Sequence, residues 1–555
     1  MGESAAMTAN GTEASTSHAG TGIQSVENVG DADRTQLQSR LLGVASTTLS
    51  ASHSYIPEIE EFAQRLNARA RKPSCPGFCS FLRRLKGHQA IVEDVVKGSP
   101  LLHPRLPDDA LRQLGRKLDI CAVNISHGSL HWSLLKRCRS LVSINQAFHG
   151  SDRSMRKNKV AKMCLTGREK EAAHRTMKAQ AKVEVHVVGG GAEWLAILTL
   201  QPDRLARQMT DSGWAWGEHS LGDVVDEQEW EDVVLAKQVK RLIAAARMNR
   251  HEYRIPRLRI ALPNIGRDNN DVNVLLEQLA RIDSGVEVMV DDGESDFLKA
   301  PTPGLDAAIE NLLGHEFDGL TDTLNLDHTI LIDLISDITH FRLEPEPWQE
   351  ETTRAQIEEE RRHDGAMVKA LYPFIENRTL VCTPEAAEHF HQVLATVGTS
   401  SEKERGNLIV PFGKAHRGDS ESESEAAIRS RFEKLSTHAL PSTVQIPIKV
   451  IDECWTWPEI EQAASGSSRL PAMAVDVARH SGFKSSKLSI FMYGWASGNV
   501  TLTSNKEVKG NIRTLVETHR RGDDDYGPSI WRLDVTRNLL AKSASPRVGN
   551  HDELL

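Results

Sequence analysis

The sequence predicts an α/β protein: an N-terminal helical bundle, a middle α/β region and a C-terminal domain built around a parallel sheet. Early in the chain, apolar residues recur every three or four positions, as on one face of a helix. Farther on, short apolar runs alternate with amphipathic stretches, which is the pattern of strand–helix–strand units. The length of 555 residues also suits several domains.

The helical domain is predicted for residues 34–150. One of its apolar faces would consist of Ile59, Phe62, Ala63 and Leu66. The same spacing recurs around Phe81, Leu114 and Leu135. The flanking residues 1–33 are rich in Ser, Thr, Gly and Ala. We predict disordered tails over residues 1–33 and 543–555, because so few apolar groups cannot offset the entropy cost of ordering.

Residues 151–182 are predicted to form a basic linker, since this stretch carries ten Lys or Arg residues. One interpretation is a solvated linker or helix face. The other is a phosphate-binding arm, whose candidate nucleic-acid-binding residues are Arg153, Arg156, Lys157 and Lys159. No aromatic residue is interleaved for base stacking, which favours the solvated interpretation.

The middle α/β region is predicted over residues 183–315. A strand starting at Val183 is followed by a glycine turn and a second strand from Trp194 to Leu200. Leu258 to Leu262 is predicted to be a buried strand, followed by a helix that starts near Asn270 and by another strand from Val286 to Val290. This order predicts a parallel strand–helix–strand unit.

In the C-terminal domain, an apolar strand from Leu324 to Leu326 ends at Asp327. A carboxylate at the C-terminal end of a parallel strand lies at the sheet edge where α/β proteins bind ligands. The alternative is that Asp327 merely caps the following helix. Further strands are predicted at Leu380–Cys382, where Thr383 caps the next helix, and at two later apolar runs. These runs are Leu488–Met492 and Val500–Thr503.

The run from Leu324 to Ile332 resembles the opening motif of PIN-like domains, the metal-dependent nuclease fold. The resemblance implies a PIN-like, Rossmann-like parallel sheet over residues 316–542. More widely, the chain resembles a eukaryotic family called domain of unknown function 1308, whose activity is not established. The stretches that carry this resemblance are Val183–Ile197, Asn325–Ser336, Leu380–Gly398 with the run Ser401–Arg405, and Leu488–Gly510.

The resemblance implies a Mg²⁺ or Mn²⁺ site. Its catalytic residues would be Asp327 and Glu388, and these two residues with Asp476 would bind the metal. However, His389 stands where PIN-like domains place an acid, while Asn505 and Ser497 stand where later acids are expected. Because Mg²⁺ needs several oxygen ligands, we expect a catalytically degenerate module that binds nucleic acid, such as RNA, or protein. The alternatives are a divalent-metal-dependent ribonuclease that uses Asp327 and an α/β enzyme acting on a small molecule.

Composition narrows the function classes further. The net charge is −9, so any nucleic-acid binding must come from a local basic patch. The seven cysteines are scattered, and the one close pair, Cys75 and Cys79, has no second pair nearby; we expect neither a disulfide framework nor a metal there. No apolar run is long enough to span a membrane, and no signal-peptide pattern opens the chain. A cytoplasmic and/or nuclear location is therefore expected.

Overall fold

We describe the fold from a computed structural model. The described residues are 31–68, 75–98, 107–151, 153–315, 317–411, 424–465 and 469–540. The tails predicted for residues 1–33 and 543–555 lie outside them, except that the first helix begins at Asp31. None of the helices in this described part is long and apolar enough to cross a membrane.

The chain divides into two compact units, one made of residues up to Glu61 with Leu82–Leu130, the other of Phe62–Phe81 with His131 onward. The prediction of N-terminal helices is confirmed. The helices are α1 (Asp31–Ala68), α2 (Phe78–Gly98) and α3 (Asp108–Leu135). In the first unit, the Tyr55 hydroxyl donates to the carbonyl of Ile125 at 2.9 Å.

Two five-stranded sheets lie in the described part of the second unit. The strands of the middle sheet, in spatial order, are β1 (Leu141–His149), β2 (Lys182–Gly189), β3 (Glu193–Ile197), β4 (Arg257–Leu262) and β5 (Val288–Asp292). The first two pairs are antiparallel and the last two are parallel. Residues 141–149 thus belong to this sheet, although the sequence placed them in the helical domain.

Helices connect these strands. They are α4 (Arg153–Lys162), α5 (Gly167–Gln180), α6 (Pro202–Ser212), α7 (Glu227–Trp230), α8 (Val234–Met248), α9 (Asn270–Ala280), α10 (Asp296–Lys299) and α11 (Leu305–Leu313). The predicted parallel unit is confirmed as β4–α9–β5, in which Leu258 pairs with Val288. The Asn269 side chain caps α9 by accepting from the backbone N–H of Val272 at 3.2 Å.

The C-terminal sheet has the order β10-β9-β6-β7-β8, and every neighbouring pair is parallel. Its strands are β6 (Thr323–Leu326), β7 (Thr379–Cys382), β8 (Lys449–Val450), β9 (Val500–Thr503) and β10 (Ile530–Arg532). This confirms the predicted Rossmann-like parallel-sheet domain. The chain runs outward from β6 to β8 and then returns to the other side of β6. Strands β6 and β9 therefore flank the switch point, where ligands bind in open α/β sheets.

Helices cover this second sheet. They are α12 (His328–Asp333), α13 (Asp337–His340), α14 (Glu351–His363), α15 (Ala366–Ile375), α16 (Pro384–Val397), α17 (Ser400–Ile409), α18 (Glu425–Lys434), α19 (Trp457–Ser465), α20 (Ala474–His480), α21 (Ser485–Ser497) and α22 (Val508–His519). Among the predicted features, the Thr383 cap is confirmed, because its hydroxyl accepts from the backbone N–H of Ala386.

The strand predicted at Leu488–Met492 is wrong, because these residues lie inside α21. Five consecutive residues there, Leu488 to Met492, are buried. A short run buried on every side shows neither helical nor strand periodicity. Gly494 lets this helix approach β9 closely, since a Cβ atom there would lie 2.0 Å from the Thr501 hydroxyl.

Candidate functional site

Asp327 is the first residue after β6 and extends the sheet ladder, since its backbone N–H donates to the carbonyl of Leu502 at 3.0 Å. Its side chain is fully buried. One carboxylate oxygen, Oδ2, accepts from the hydroxyls of Thr503 at 2.5 Å and Thr329 at 3.0 Å. Asp327 stands at the N-cap position of α12, but its side chain makes no capping hydrogen bond there, which argues against the alternative that this carboxylate serves only as a cap.

The second carboxylate oxygen of Asp327 contacts His328. Nδ1 of His328 lies 2.7 Å from Oδ1, within ion-pair distance. Burial by itself would raise the pKa of Asp327. The contact with His328, and then the hydroxyls of Thr503 and Thr329, outweigh burial and hold this pKa below its ordinary value. The carboxylate is thus kept ionised inside the protein by one imidazole and two hydroxyls.

A cavity of about 570 Å³ opens beside this cluster. His328 lines it, whereas Asp327 lies behind His328 and does not. Helix α16 contributes Glu385, Glu388, His389 and Gln392. The first turn of α21 and the three residues before it contribute residues 482–487. The first backbone amides of α21 have no side-chain cap, and Lys484 and Lys487 flank them. Free amides at a helix N-terminus attract anions.

His389 is the second imidazole of the cavity. Its ring meets that of His328 edge to face, with centroids 4.9 Å apart and planes at 84°. The pKa of His389 is lowered, first by burial and then by the neighbouring His328, while Asp327 opposes this effect and Lys487 adds to it. The neutral form of His389 is therefore favoured, which suits a group that accepts a proton.

The structure separates the three predicted metal ligands. Glu388 is exposed on the cavity wall, where its Oε1 accepts from the side chain of Gln392 at 3.2 Å. Asp476 is not among the residues that line the cavity and pairs with Arg521 at 3.2 Å. No group of three His, Cys, Asp or Glu residues with metal-binding geometry occurs in the described ranges. The donors that surround Asp327 therefore do not fit Mg²⁺, which needs several oxygen ligands at one point.

The sequence also gave signals for residues that our prediction did not include. His328 follows Asp327 directly, and His389 occupies the position where the resemblance expects an acid. The start of α21 was missed because this helix was predicted to be a strand. The groups of the cavity that could take part in chemistry are therefore His328, His389 and the start of α21, rather than a cluster of carboxylates.

The basic stretch forms a helical hairpin of α4 and α5. This hairpin is inserted between β1 and β2, which pair directly with each other. The ladder of β1 and β2 closes at His149 and Lys182, where a turn of about 2–5 residues would be enough. Val160 is the buried residue of α4, and within the described residues α5 buries none. Residues 153–180 carry nine Lys or Arg residues against two acids. Helices that are polar on all sides do not serve as core elements.

The predicted nucleic-acid-binding residues lie on this hairpin. Arg153, Arg156 and Lys157 line a surface cavity of about 430 Å³ together with Lys170, His174, Arg175 and Lys178. Lys159 is exposed on the same helix, α4. Arg156 also donates to the Ser151 hydroxyl at 3.1 Å. In the described part of the chain, no acidic side chain lies at ion-pair distance from Arg153, Lys157 or Lys159.

The fold and site define an α/β protein with a polar cluster at the switch point of a parallel sheet. Within this domain, residues 324–432 match the model of a family described as a protein of unknown function (DUF1308). The match runs from β6 to α18 and includes Asp327, His328, Glu388 and His389. Neither a curated protein nor a solved structure matches the chain.

Proposed function

We propose that this protein binds RNA through the α4–α5 hairpin, and that its sheet-edge site does not work as a divalent-metal nuclease. The observation that carries the proposal is the hairpin itself, which concentrates nine cationic residues against two acids in a chain of net charge −9. It contributes one buried side chain within the described residues, so packing alone does not account for it.

The physical basis is the release of counterions. Each Lys or Arg that neutralises a phosphate frees a condensed cation, so affinity falls steeply as salt rises. Cationic residues of both helices line one surface cavity, and a bound polyanion would relieve the repulsion among these like charges. The competing interpretation is a hairpin whose charges serve only solubility.

A charge-reversal variant tests this. Arg153, Arg156, Lys157 and Lys159 are changed together to Glu, and affinity for fluorescent single-stranded RNA is measured at several salt concentrations. We expect the affinity to fall at least tenfold and the slope of log K against log salt to shrink by roughly 3–4, since each lost phosphate contact removes about one unit. Arg156 also stabilises Ser151, so circular dichroism must show that the hairpin remains helical.

The matched control reverses four exposed helical cations elsewhere, namely Arg116, Lys117, Arg204 and Arg207, and makes the same change in net charge. It should retain most of the affinity. Equal loss in both variants would mean that total charge controls binding, and unchanged affinity in the hairpin variant would remove the hairpin from RNA binding. Either result, or a wild type that does not bind RNA, overturns the proposal; in the last case a protein partner is the alternative.

The metal part of the proposal has its own test. Wild type and Asp327→Asn are incubated with single-stranded RNA with and without Mn²⁺. We expect Mn²⁺ to cause no increase in cleavage by either protein, because Asp327 is fully buried, does not line the cavity, and belongs to no group of three metal-binding side chains among the described residues. Mn²⁺-stimulated cleavage by wild type alone would restore the ribonuclease hypothesis, with Mg²⁺ or Mn²⁺ held by Asp327, Glu388 and Asp476.

A further inference from the structure

We propose that His328 and His389 form a metal-independent acid–base pair that cleaves phosphodiester bonds of RNA, with Asp327 as the residue that positions His328. This inference deepens the proposed function and rests on it for the class of substrate. The two histidines lie in the cavity at the switch point, and the metal hypothesis gives them no role.

The surroundings of His328 constrain the orientation of its ring. Two hydroxyls hold the carboxylate of Asp327, and its other oxygen contacts Nδ1 of His328 at 2.7 Å. The two atoms are within ion-pair distance but are not aligned as a hydrogen bond, and a buried carboxylate this close to Nδ1 favours the tautomer that carries its proton on that nitrogen. With Nδ1 against Asp327, the opposite nitrogen, Nε2, is the one available to the cavity that His328 lines.

The imidazoles of His328 and His389 line the same cavity. The ring centroids of His328 and His389 are 4.9 Å apart, close enough for both to reach a single bound phosphodiester. Their surroundings differ, since Nδ1 of His328 lies 2.7 Å from the carboxylate of Asp327, whereas His389 shares the cavity wall with Lys487. Two titratable groups in unlike environments are suited to separate acid and base roles.

The same cavity also carries groups that would recognise the substrate. The uncapped amides at the start of α21, with Lys484 and Lys487, would bind a phosphate. The exposed carboxylate of Glu388, which also lines the cavity, can accept a hydrogen bond from a ribose hydroxyl. The cavity volume of about 570 Å³ lies within the range of sites for small ligands, so a nucleotide unit is a substrate of suitable size.

The reaction balances without any co-reactant. Neutral His389 accepts the proton of the ribose 2′-hydroxyl, and the 2′-oxygen forms a bond to phosphorus. The bond from phosphorus to the 5′-oxygen of the next nucleotide breaks, and protonated His328 gives its Nε2 proton to that leaving oxygen. The products are a 2′,3′-cyclic phosphate and a free 5′-hydroxyl. After the reaction His389 is protonated and His328 is neutral, and proton transfer to and from the solvent restores the starting states.

The test uses the full-length protein, EDTA, and a dinucleoside monophosphate that is too short to need the hairpin. We expect the ribose form to yield the 2′,3′-cyclic phosphate, identified by mass spectrometry, and the form with a 2′-deoxyribose before the phosphate to stay intact. His328→Gln and His389→Gln should each slow cleavage by about 10²–10⁴-fold. His363→Gln, an exposed histidine on α14, is the control and should cleave like wild type.

Asp327→Asn needs a readout that fold stability alone would not change. We expect slower cleavage together with altered ¹⁵N shifts of the His328 ring, which report its tautomer. Binding of long single-stranded RNA by wild type is measured in parallel, so failure of hairpin binding and failure of cleavage are separable. An intact ribose dinucleoside with folded wild type would overturn this inference and leave hairpin binding untouched. Equal cleavage by wild type and both histidine variants would reveal a contaminant and also overturn it.

Discussion

Both sheets of this protein carry an aspartate at the end of a parallel strand, but the partners of the two aspartates differ. In the middle sheet, Asp291 accepts from Arg259 at 2.7 Å, and the next residue, Asp292, accepts from Arg267 at 2.9 Å. In the C-terminal sheet, Asp327 has His328 and two threonines instead. Arginine keeps its proton at all relevant pH values, whereas an imidazole exchanges one readily. The partner of a strand-end carboxylate therefore distinguishes a structural ion pair from a site suited to proton transfer.

The pKa shifts of the two carboxylates follow the same division. Burial raises the pKa of Asp291 despite the opposing guanidinium of Arg259. The pKa of Asp327 is lowered, although it is the more deeply buried group. Two ion pairs extend the comparison: Arg405 and Asp337 in the C-terminal domain are buried, whereas Arg257 at the middle sheet keeps 48% of its side chain exposed beside Glu193.

The largest effect is expected at a buried pair of the C-terminal domain. Arg405 is fully buried, bonds to the carboxylate of Asp337, and donates to the carbonyls of Ile335 and Leu435 at 2.8 and 2.6 Å. Arg405→Met removes the cation from a buried carboxylate that keeps only the hydroxyls of Thr399 and Ser401 as side-chain donors, and both carbonyls lose this donor. Urea unfolding should therefore show a loss of about 3–5 kcal/mol. Arg431→Met, which removes an exposed guanidinium 47% accessible to solvent, is the control. A loss below about 1 kcal/mol for Arg405→Met would contradict the contrast.

A pH-dependent effect is expected at Asp333, the last residue of α12. Burial raises its pKa from 3.8 to about 7, against the backbone N–H of Arg537 and the hydroxyls of Ser504 and Thr536. Since the folded pKa lies above the unfolded one, the contribution of Asp333 to stability is complete below pH 4 and declines as pH rises toward 7. The decline is on the order of 4 kcal/mol at most.

Asp333→Asn stays neutral and should not show this decline. The free energy of unfolding of wild type minus that of the variant should therefore become smaller between pH 4.5 and 7.5, roughly along the titration of Asp333. Taking the difference cancels groups common to both proteins, such as buried His340. A difference that stays constant over this range would show that Asp333 does not titrate there.

A smaller effect is expected at the hydroxyl that holds Asp327. Thr503→Val removes the 2.5 Å hydrogen bond to Oδ2 while keeping the shape of the side chain. The buried carboxylate would lose one of two hydroxyl donors, at a cost of about 1–3 kcal/mol. Thr503→Ser keeps the hydroxyl and should cost less. If the two variants lose equal stability, the methyl group rather than the hydroxyl matters at this position.

The smallest effect is expected at the surface of the middle sheet. Arg257 pairs with Glu193 at 2.7 Å, with 48% of its side chain exposed, and Glu193 keeps a second partner in Arg259. Arg257→Ala should cost less than about 1 kcal/mol, and the loss should shrink at high salt. A cost similar to that of Arg405→Met would remove the contrast between the two sheets.

Much of the fold could be predicted from local pattern. The alternation at Val183–Val187, the β4–α9–β5 unit and the apolar strand before Asp327 each have the periodicity of the structure that forms. Residues 141–149 could not be assigned in this way, because β1 is defined by its pairing with β2 across the inserted hairpin. Helix α21 was missed because its burial on all sides removes the amphipathic signal.

The candidate site was only partly predictable. The position of Asp327 at a strand end follows from its local sequence, and the structure places it there. Its partner Thr503 lies 176 residues away, and the contact between His328 and His389 depends on how α12 packs against α16. Neither distance can be obtained from spacing along the chain. The basic hairpin gave a clear charge signal, but its helical form and its insertion between paired strands depend on tertiary structure.

The central position of β6 has a consequence for biosynthesis. Among the strands of this sheet, the ribosome makes β6 first, then β7 and β8, and only afterwards β9. The edge of β6 that will pair with β9 is therefore unpaired in the meantime. The hydroxyl of Thr503 reaches the carboxylate of Asp327 across 176 residues, which take roughly 10–35 s to translate. During that interval the nascent chain exposes a strand edge beside an ionised carboxylate, whose charge discourages this edge from pairing with another chain.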